Sequence, residues 1–291
     1  MSAAWNGGNP IYCAPALFTD AQITEVFNRV SEDFRPFNLD ITTDSMVYLS
    51  ASLTKRIRII VTPTSAWYTG DGGVSYVGSF SWGDDTPGFV FSDRLGPNNP
   101  KMVAECCSHE SGHTCGLSHQ SKWSGTCALI TPYNDGAGTG EIGWAPIMGN
   151  SYYKNYTGWN NGLTQSDCTT SEDNLSVIVT GNGFTYRTDD HSNDPAVNPT
   201  VINISGQSFS ASGIISTTTD KDAFKFVLAQ NGNIHLDVTP FSVAINDNGA
   251  NLDVNILLLN SSRQTIGTYD PPTLLSAAAD ITLNAGPYYI I

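Results

Sequence analysis

Three of the chain's five histidines sit in one short stretch, Ser108-His109-Glu110-Ser111-Gly112-His113-Thr114-Cys115-Gly116-Leu117-Ser118-His119. His109 and His113 stand at i and i+4, so on a helix their imidazoles lie on one face about 5.4 Å apart along the axis. Both can reach a single ion at about 2.0–2.1 Å. Glu110 is rotated by about 100° from His109, placed to hydrogen-bond a water held by that ion without displacing it. Gly116 can take positive φ and end the helix, which lets His119 approach from a third direction. Three neutral imidazoles leave the fourth position of a tetrahedral ion open, the arrangement of a catalytic zinc and not a structural one, with one ion per chain expected. A chance match to the five fixed positions has odds on the order of one in ten thousand in a chain of this size. His191 and His235 read as ordinary exposed or hydrogen-bonded residues.

The surrounding sequence supplies elements able to hold such a cluster. Thr19 and Gln22 form a T-x-x-Q capping box, and Ile23, Val26, Phe27, Val30 and Phe34 follow at helical spacing until Pro36 closes the helix. Residues 38–43, 56–62, 73–79 and 88–92 read as strands, the last two separated by Gly83-Asp84-Asp85-Thr86-Pro87. Pro100 opens a helix that runs into the histidines. Helices alternating with strands predict an α/β layer arrangement, a twisted sheet with an active-site helix. From Asp189-Asp190-His191-Ser192-Asn193-Asp194-Pro195, which reads as a linker, the signals are all strand: 223–228, 234–239, 252–259 and 279–283. Turns at Asn231-Gly232 and Asn248-Gly249 punctuate them, predicting an all-β sandwich.

With 291 residues and 40% hydrophobic content, two domains are expected, 1–188 and 189–291. A formal charge of −14 without a basic stripe argues against nucleic acid. No apolar run approaches the roughly 18 residues of a membrane span. The six cysteines, Cys13, Cys106, Cys107, Cys115, Cys127 and Cys168, include no CxxC pair. They suit one to three disulfides in an oxidising compartment, with buried free thiols as the alternative. Met-Ser-Ala-Ala-Trp at the start is no signal peptide, so a leader and any pro-segment are expected outside this sequence. Tyr288-Tyr289-Ile290-Ile291 ends inside an apparent strand, which reads as a C-terminal domain cut short.

The histidine stretch resembles the metzincin peptidases, whose pattern is H-E-x-x-H-x-x-G-x-x-H followed by a Met-turn. Ala145-Pro146-Ile147-Met148-Gly149 matches that turn, and the resemblance implies that Met148 packs beneath the zinc ligands. The capped helix and Gly73-Val74-Ser75-Tyr76-Val77-Gly78-Ser79 are similar to the reprolysin-like branch of bacterial secreted proteins. Residues 189–291 resemble the bacterial pre-peptidase C-terminal domain, notably at Asp220-Lys221-Asp222-Ala223-Phe224 and Asn251-Leu252-Asp253-Val254. Three features depart from the pattern. Gln120 follows the third histidine. Asn150 stands where some branches place a tyrosine ligand, Tyr152 and Tyr153 coming too late. Cys106, Cys107 and Cys115 lie on or beside the active-site helix, where Cys106 reads as a core-filling thiol.

The resemblance implies a secreted, extracellular bacterial zinc metalloprotease, a monomeric hydrolase acting on protein or peptide through a zinc-held water activated by Glu110. Substrate is expected to add as a strand to an edge around residues 88–92, with Tyr152 and Tyr153 walling the pocket beyond the scissile bond. Residues 1–188 are expected to suffice for catalysis. The alternative is a catalytically weak or degenerate metzincin serving as a protein- or glycan-binding adhesin, a reading that the intact Glu110 opposes. Asp71, Asp84-Asp85 and Asp189-Asp190 read as solvated loop carboxylates, with calcium binding as the alternative.

Overall fold

The computed structural model describes residues 5–96, 99–243 and 249–291. It is a mixed α/β fold, rich in short strands, with four α-helices among the described residues.

Helix α1, Asp20–Asp33, starts as its sequence requires. The Thr19 side chain accepts from the Gln22 backbone N–H, and the Gln22 side chain reaches back to the Thr19 N–H. The stretch 38–43 is not a strand. Beyond the isolated bridge Phe37 to Tyr186 it runs as loop into α2, Ser45–Ser50, which Asp44 caps. Its alternating apolar residues Leu39 and Ile41 pack on the core without pairing.

Three strands build the first sheet: β1 (Ile59–Thr62), β2 (Gly73–Val74) and β3 (Gly88–Phe91), in the order β1-β3-β2. β3 runs parallel to β1 and antiparallel to β2, so the segment expected at the edge is central. All four β3 residues are buried, which a strand paired on both sides and covered on both faces demands. β1 and β2 are the two edges, and β2 is only two residues long because the chain turns away after Val74.

Helix α3, Pro100–Thr114, has Pro at its first turn and Asn99 as its cap. It packs against α1 and the sheet around an apolar core that includes Val30, Phe37, Val90, Val103, Leu117 and Ile178. Short pairs follow: β4 (Lys122–Trp123) with β5 (Leu129–Thr131), β6 (Trp144–Pro146) parallel to β7 (Tyr156–Gly158), and β8 (Asn161–Leu163) with β9 (Ser171–Asp173). Helix α4, Asn174–Asn182, is capped by Asp173 and ended by Gly183 at φ 70°.

The C-terminal strands are β10 (Thr200–Val201), β11 (Phe224–Leu228), β12 (Gly232–Val238), β13 (Ile256–Leu259), β14 (Thr265–Tyr269), β15 (Ala277–Leu283) and β16 (Gly286–Ile290). Five of them form one sheet, β10-β11-β16-β13-β14, while β12 and β15 pair separately. A second core, with Phe226, Ile256 and Leu258 from the larger sheet and Leu236, Ala279 and Leu283 from the pair, joins the two layers. Of the Asn248-Gly249 turn, Asn248 lies outside the described residues. No helix is long and apolar enough to cross a membrane among the described residues.

Cys127 and Cys168 form a disulfide, whereas Cys13, Cys106, Cys107 and Cys115 are free. The expectation of up to three bridges reduces to this one, because the other buried thiols lie along α3 and at its end, filling core instead of facing each other.

Candidate metal centre

The three histidines converge. One ring nitrogen from each of His109, His113 and His119 lies within 4.8 Å of the others. His109 and His113 come from one face of α3. The helix then ends in a Schellman motif, with Gly116 N–H donating to the His113 carbonyl (2.9 Å) and Leu117 N–H to the Gly112 carbonyl (3.0 Å). Gly116 adopts φ 103°, which a side chain would oppose, and the reversal brings His119 back over the helix face.

The backbone fixes the tautomers of the first two rings. His109 Nδ1 sits 2.8 Å from the Ile147 carbonyl and His113 Nδ1 2.8 Å from the Leu117 carbonyl. A carbonyl only accepts, so each Nδ1 carries the proton and each Nε2 turns a lone pair to the shared centre. Nε2 of His113 and of His119 are 2.9 Å apart, a few tenths less than the roughly 3.3 Å between two ligands of tetrahedral zinc.

Electrostatics favour the neutral ligand form. Burial, reinforced by the neighbouring rings His113 and His119, holds His109 well below the usual histidine range. Burial also lowers His113, and with His113 beside it brings His119 down to about 4. Three neutral nitrogens, two of them in tautomers fixed by the backbone, fit a borderline-soft dication such as zinc and suit magnesium or calcium poorly.

Glu110 is 5% exposed and opens on the same cleft. The Ser75 hydroxyl lies within hydrogen-bond reach of both Glu110 Oε2 and the Glu110 backbone carbonyl (2.9 Å), and its single proton goes to the carboxylate, the shorter contact. Burial pushes the Glu110 carboxyl up to about 7, and Asp71 adds to the rise. A cation on the three imidazoles would draw it back down.

Met148 is fully buried, and a Cβ built on Gly112 would lie 2.5 Å from its sulfur, so the methionine packs directly against the ligand-bearing helix. The third-histidine loop is tied to the same turn, since Gln120 N–H donates to the Met148 carbonyl (2.8 Å). The Gln120 side chain, also fully buried, donates to the Asn160 carbonyl (2.8 Å) and accepts from Asn160 Nδ2 (2.9 Å). Its identity is thus set by the loops behind His119 and not by the metal. Cys106 is core-filling, buried beneath Gly73 with Tyr152 as hydrogen-bond partner.

The cleft over the centre measures about 780 Å³. Edge strand β2 with Gly72 and Ser75 forms one lip, and Tyr133, Asn150, Tyr152 and Tyr153 lie among the lining residues. Tyr133, which the sequence alone did not single out, packs against His119 with ring centroids 4.5 Å apart and planes tilted by 51°.

Of the acidic positions read as loop carboxylates, only Asp71 is at the cleft. Asp85 pairs with Arg56 at 3.3 Å. Asp189 joins Asp220 and Asp222, one oxygen of each within 4.8 Å of the others, and burial with the nearby acids raises Asp222 to about 6. His191 spends both nitrogens on Thr200 and the Ser212 carbonyl, and His235 pairs with Asp280 on the surface. No protein-family model matches the chain, and no curated protein matches it.

Proposed function

We propose that this chain is a secreted zinc-dependent endopeptidase of the metzincin type, with the metal on His109, His113 and His119 and Glu110 as the general base. The observation that carries the reading is the convergence of three imidazoles, two with Nδ1 tied to backbone carbonyls, in a cleft that also holds a buried carboxylate of raised pKa. When bound, the ion supplies a Lewis acid that polarises the scissile carbonyl and makes water nucleophilic near pH 7.

The chain's own groups do the rest. Glu110 takes the proton of the attacking water and returns it to the departing amine. Ser75, donating to Oε2, holds the carboxylate in place and keeps part of its negative charge. An extended peptide adds to β2, the edge strand that lines the cleft, instead of to the central β3. Asn150, Tyr152 and Tyr153 also line the cleft and are the residues to read for side-chain preference. The disulfide agrees with an oxidising, extracellular setting.

The test is a pair of variants assayed on casein or gelatin. Glu110→Gln keeps the fold and the zinc and loses most turnover, while His113→Ala loses both zinc and turnover. Near-normal cleavage by the Glu110→Gln variant would remove the base from the account, whereas a zinc-loaded wild type that cleaves nothing would leave a metal-binding module, the adhesin alternative.

A further inference from the structure

Asp33, the last residue of α1, is almost completely buried at the back of α3. Its Oδ2 accepts from Ser108 Oγ at 2.5 Å, and Ser108 directly precedes His109. Its Oδ1 accepts from Asn251 Nδ2 at 2.6 Å, a bond that spans 218 positions and comes from the C-terminal part of the chain. Its backbone carbonyl takes the indole N–H of Trp159 at 2.6 Å. The carboxylate therefore has one partner on the ligand helix and one in the segment leading to β13.

Asn251 also reaches the other half of the centre. Its Oδ1 lies 3.5 Å from Thr157 Oγ1, whose one hydroxyl proton it shares with Glu105 Oε1 at 3.4 Å, and Thr157 lies in β7, paired in register with Ala145 of β6 just before Met148. The segment is firmly seated. Ala250 is 2% exposed, and the Gly249 backbone lies so close to the Arg29 guanidinium that no side chain fits between them. Leu275 N–H adds a bond to Glu141 at 3.0 Å.

We infer that Asn251 is a positioning residue of the metal centre, joining the C-terminal sheets to both the helix that bears His109 and the strand that leads to Met148. This rests on the peptidase reading and deepens it: the catalytic unit includes part of the region after residue 188. This proposal runs against the expectation that residues 1–188 suffice, because cutting there removes the Asn251 donor from Asp33 Oδ1. Asn251 acts through Asp33 and Ser108 and touches no reacting atom.

The experiment uses the full chain with Asn251→Leu, Asn251→Asp and the swap Asp33→Asn with Asn251→Asp. The leucine matches the shape and removes both hydrogen bonds. The single Asn251→Asp change sets two carboxylates against each other. In the swap, the amide at position 33 donates to the carboxylate at 251 and still accepts from Ser108. Expected for either single change at 251 is a kcat about tenfold lower with KM unchanged and zinc release to a chelator about tenfold faster, the low end of what outer partners of metal ligands cost. The metal-free proteins should show faster amide exchange over His109 to His113, and the swap should restore all three readouts to within about twofold.

A lower melting temperature with kcat, zinc release and helix exchange unchanged would reduce the contact to domain mortar and overturn the inference. So would a swap that restores nothing. If Asn251→Leu does not fold, Asn251→Ser and the swap carry the same comparison. A wild type without zinc or cleavage defeats the peptidase reading instead, and the metal-free exchange still decides whether Asn251 positions the helix.

Discussion

Gly73 lies directly over the carboxylate of Glu110: a methyl group there would sit 2.6 Å from Oε1 and 2.8 Å from the Cys106 sulfur. The edge strand and the proposed base share one space, and it closes if the strand residue gains a side chain. Gly73→Ala should displace Glu110 while leaving every metal ligand in place. A misplacement of about 1 Å in a catalytic group costs on the order of a hundredfold in rate. Steady-state kinetics beside zinc analysis checks this, with kcat falling by about that factor and metal content unchanged. Normal kcat would mean that Glu110 has room to spare.

Met148 should shape the centre through packing alone. Met148→Leu conserves volume and should cost under about 1.5 kcal/mol. Met148→Ala opens a cavity against Gly112 and Trp159 and should cost roughly 2–5 kcal/mol, with faster loss of zinc. Melting temperature and metal retention read both variants. A leucine as harmful as alanine would point to a role for sulfur in coordination.

The histidines set an acid limit. Each has a folded pKa below the 6.5 of a free imidazole, so the unfolded chain takes up protons that the folded centre refuses. Their contribution to stability is complete above 6.5 and is lost as pH falls towards the folded values, about 4 for His119. Buried Asp33 works in the opposite sense. Burial and the charge of Glu105 raise it well above 3.8, so its share favours the fold at low pH and weakens as pH rises. Zinc retention isolates the histidines. The metal should stay bound well below pH 6.5 in equilibrium dialysis, and release at or above that value would contradict the neutral, buried cluster.

The disulfide closes a loop of 41 residues that contains the Met-turn and the Tyr152 wall. Loop-closure entropy puts its stabilisation at about 4 kcal/mol at most, and measured cases run about 2–4. Thermal unfolding with and without reductant should show a loss in that range, with Cys106, Cys107 and Cys115 unreactive in the folded chain because they are buried. Equal melting temperatures would show the loop to be held by its other contacts.

Local signals were legible and pairings were not. The capping box at Thr19 and Gln22, the proline opening α3 and the positive φ at Gly116 all follow from the types of residues close in sequence. The same holds for the convergence of His109, His113 and His119. Helix α4 escaped notice although its punctuation was present, Asp173 before it and Gly183 after, since short apolar runs do not separate strand from helix. The order β1-β3-β2 could not be read, because which strand is central depends on partners far along the chain. Gln120 looked anomalous after the third histidine for the same reason: its partners, Asn160 and Glu172, are 40 and 52 positions away. Asn251 reaching Asp33 is the extreme case, with no local pattern that could announce it.

Metal content measured together with cleavage tests the central claim most directly. The purified chain, dialysed against metal-free buffer, should retain about one zinc per molecule on its three imidazoles. Phenanthroline should remove the metal and protein cleavage together, and added zinc should restore both. A chain that holds no transition metal, and whose cleavage of casein is indifferent to phenanthroline, would contradict the account.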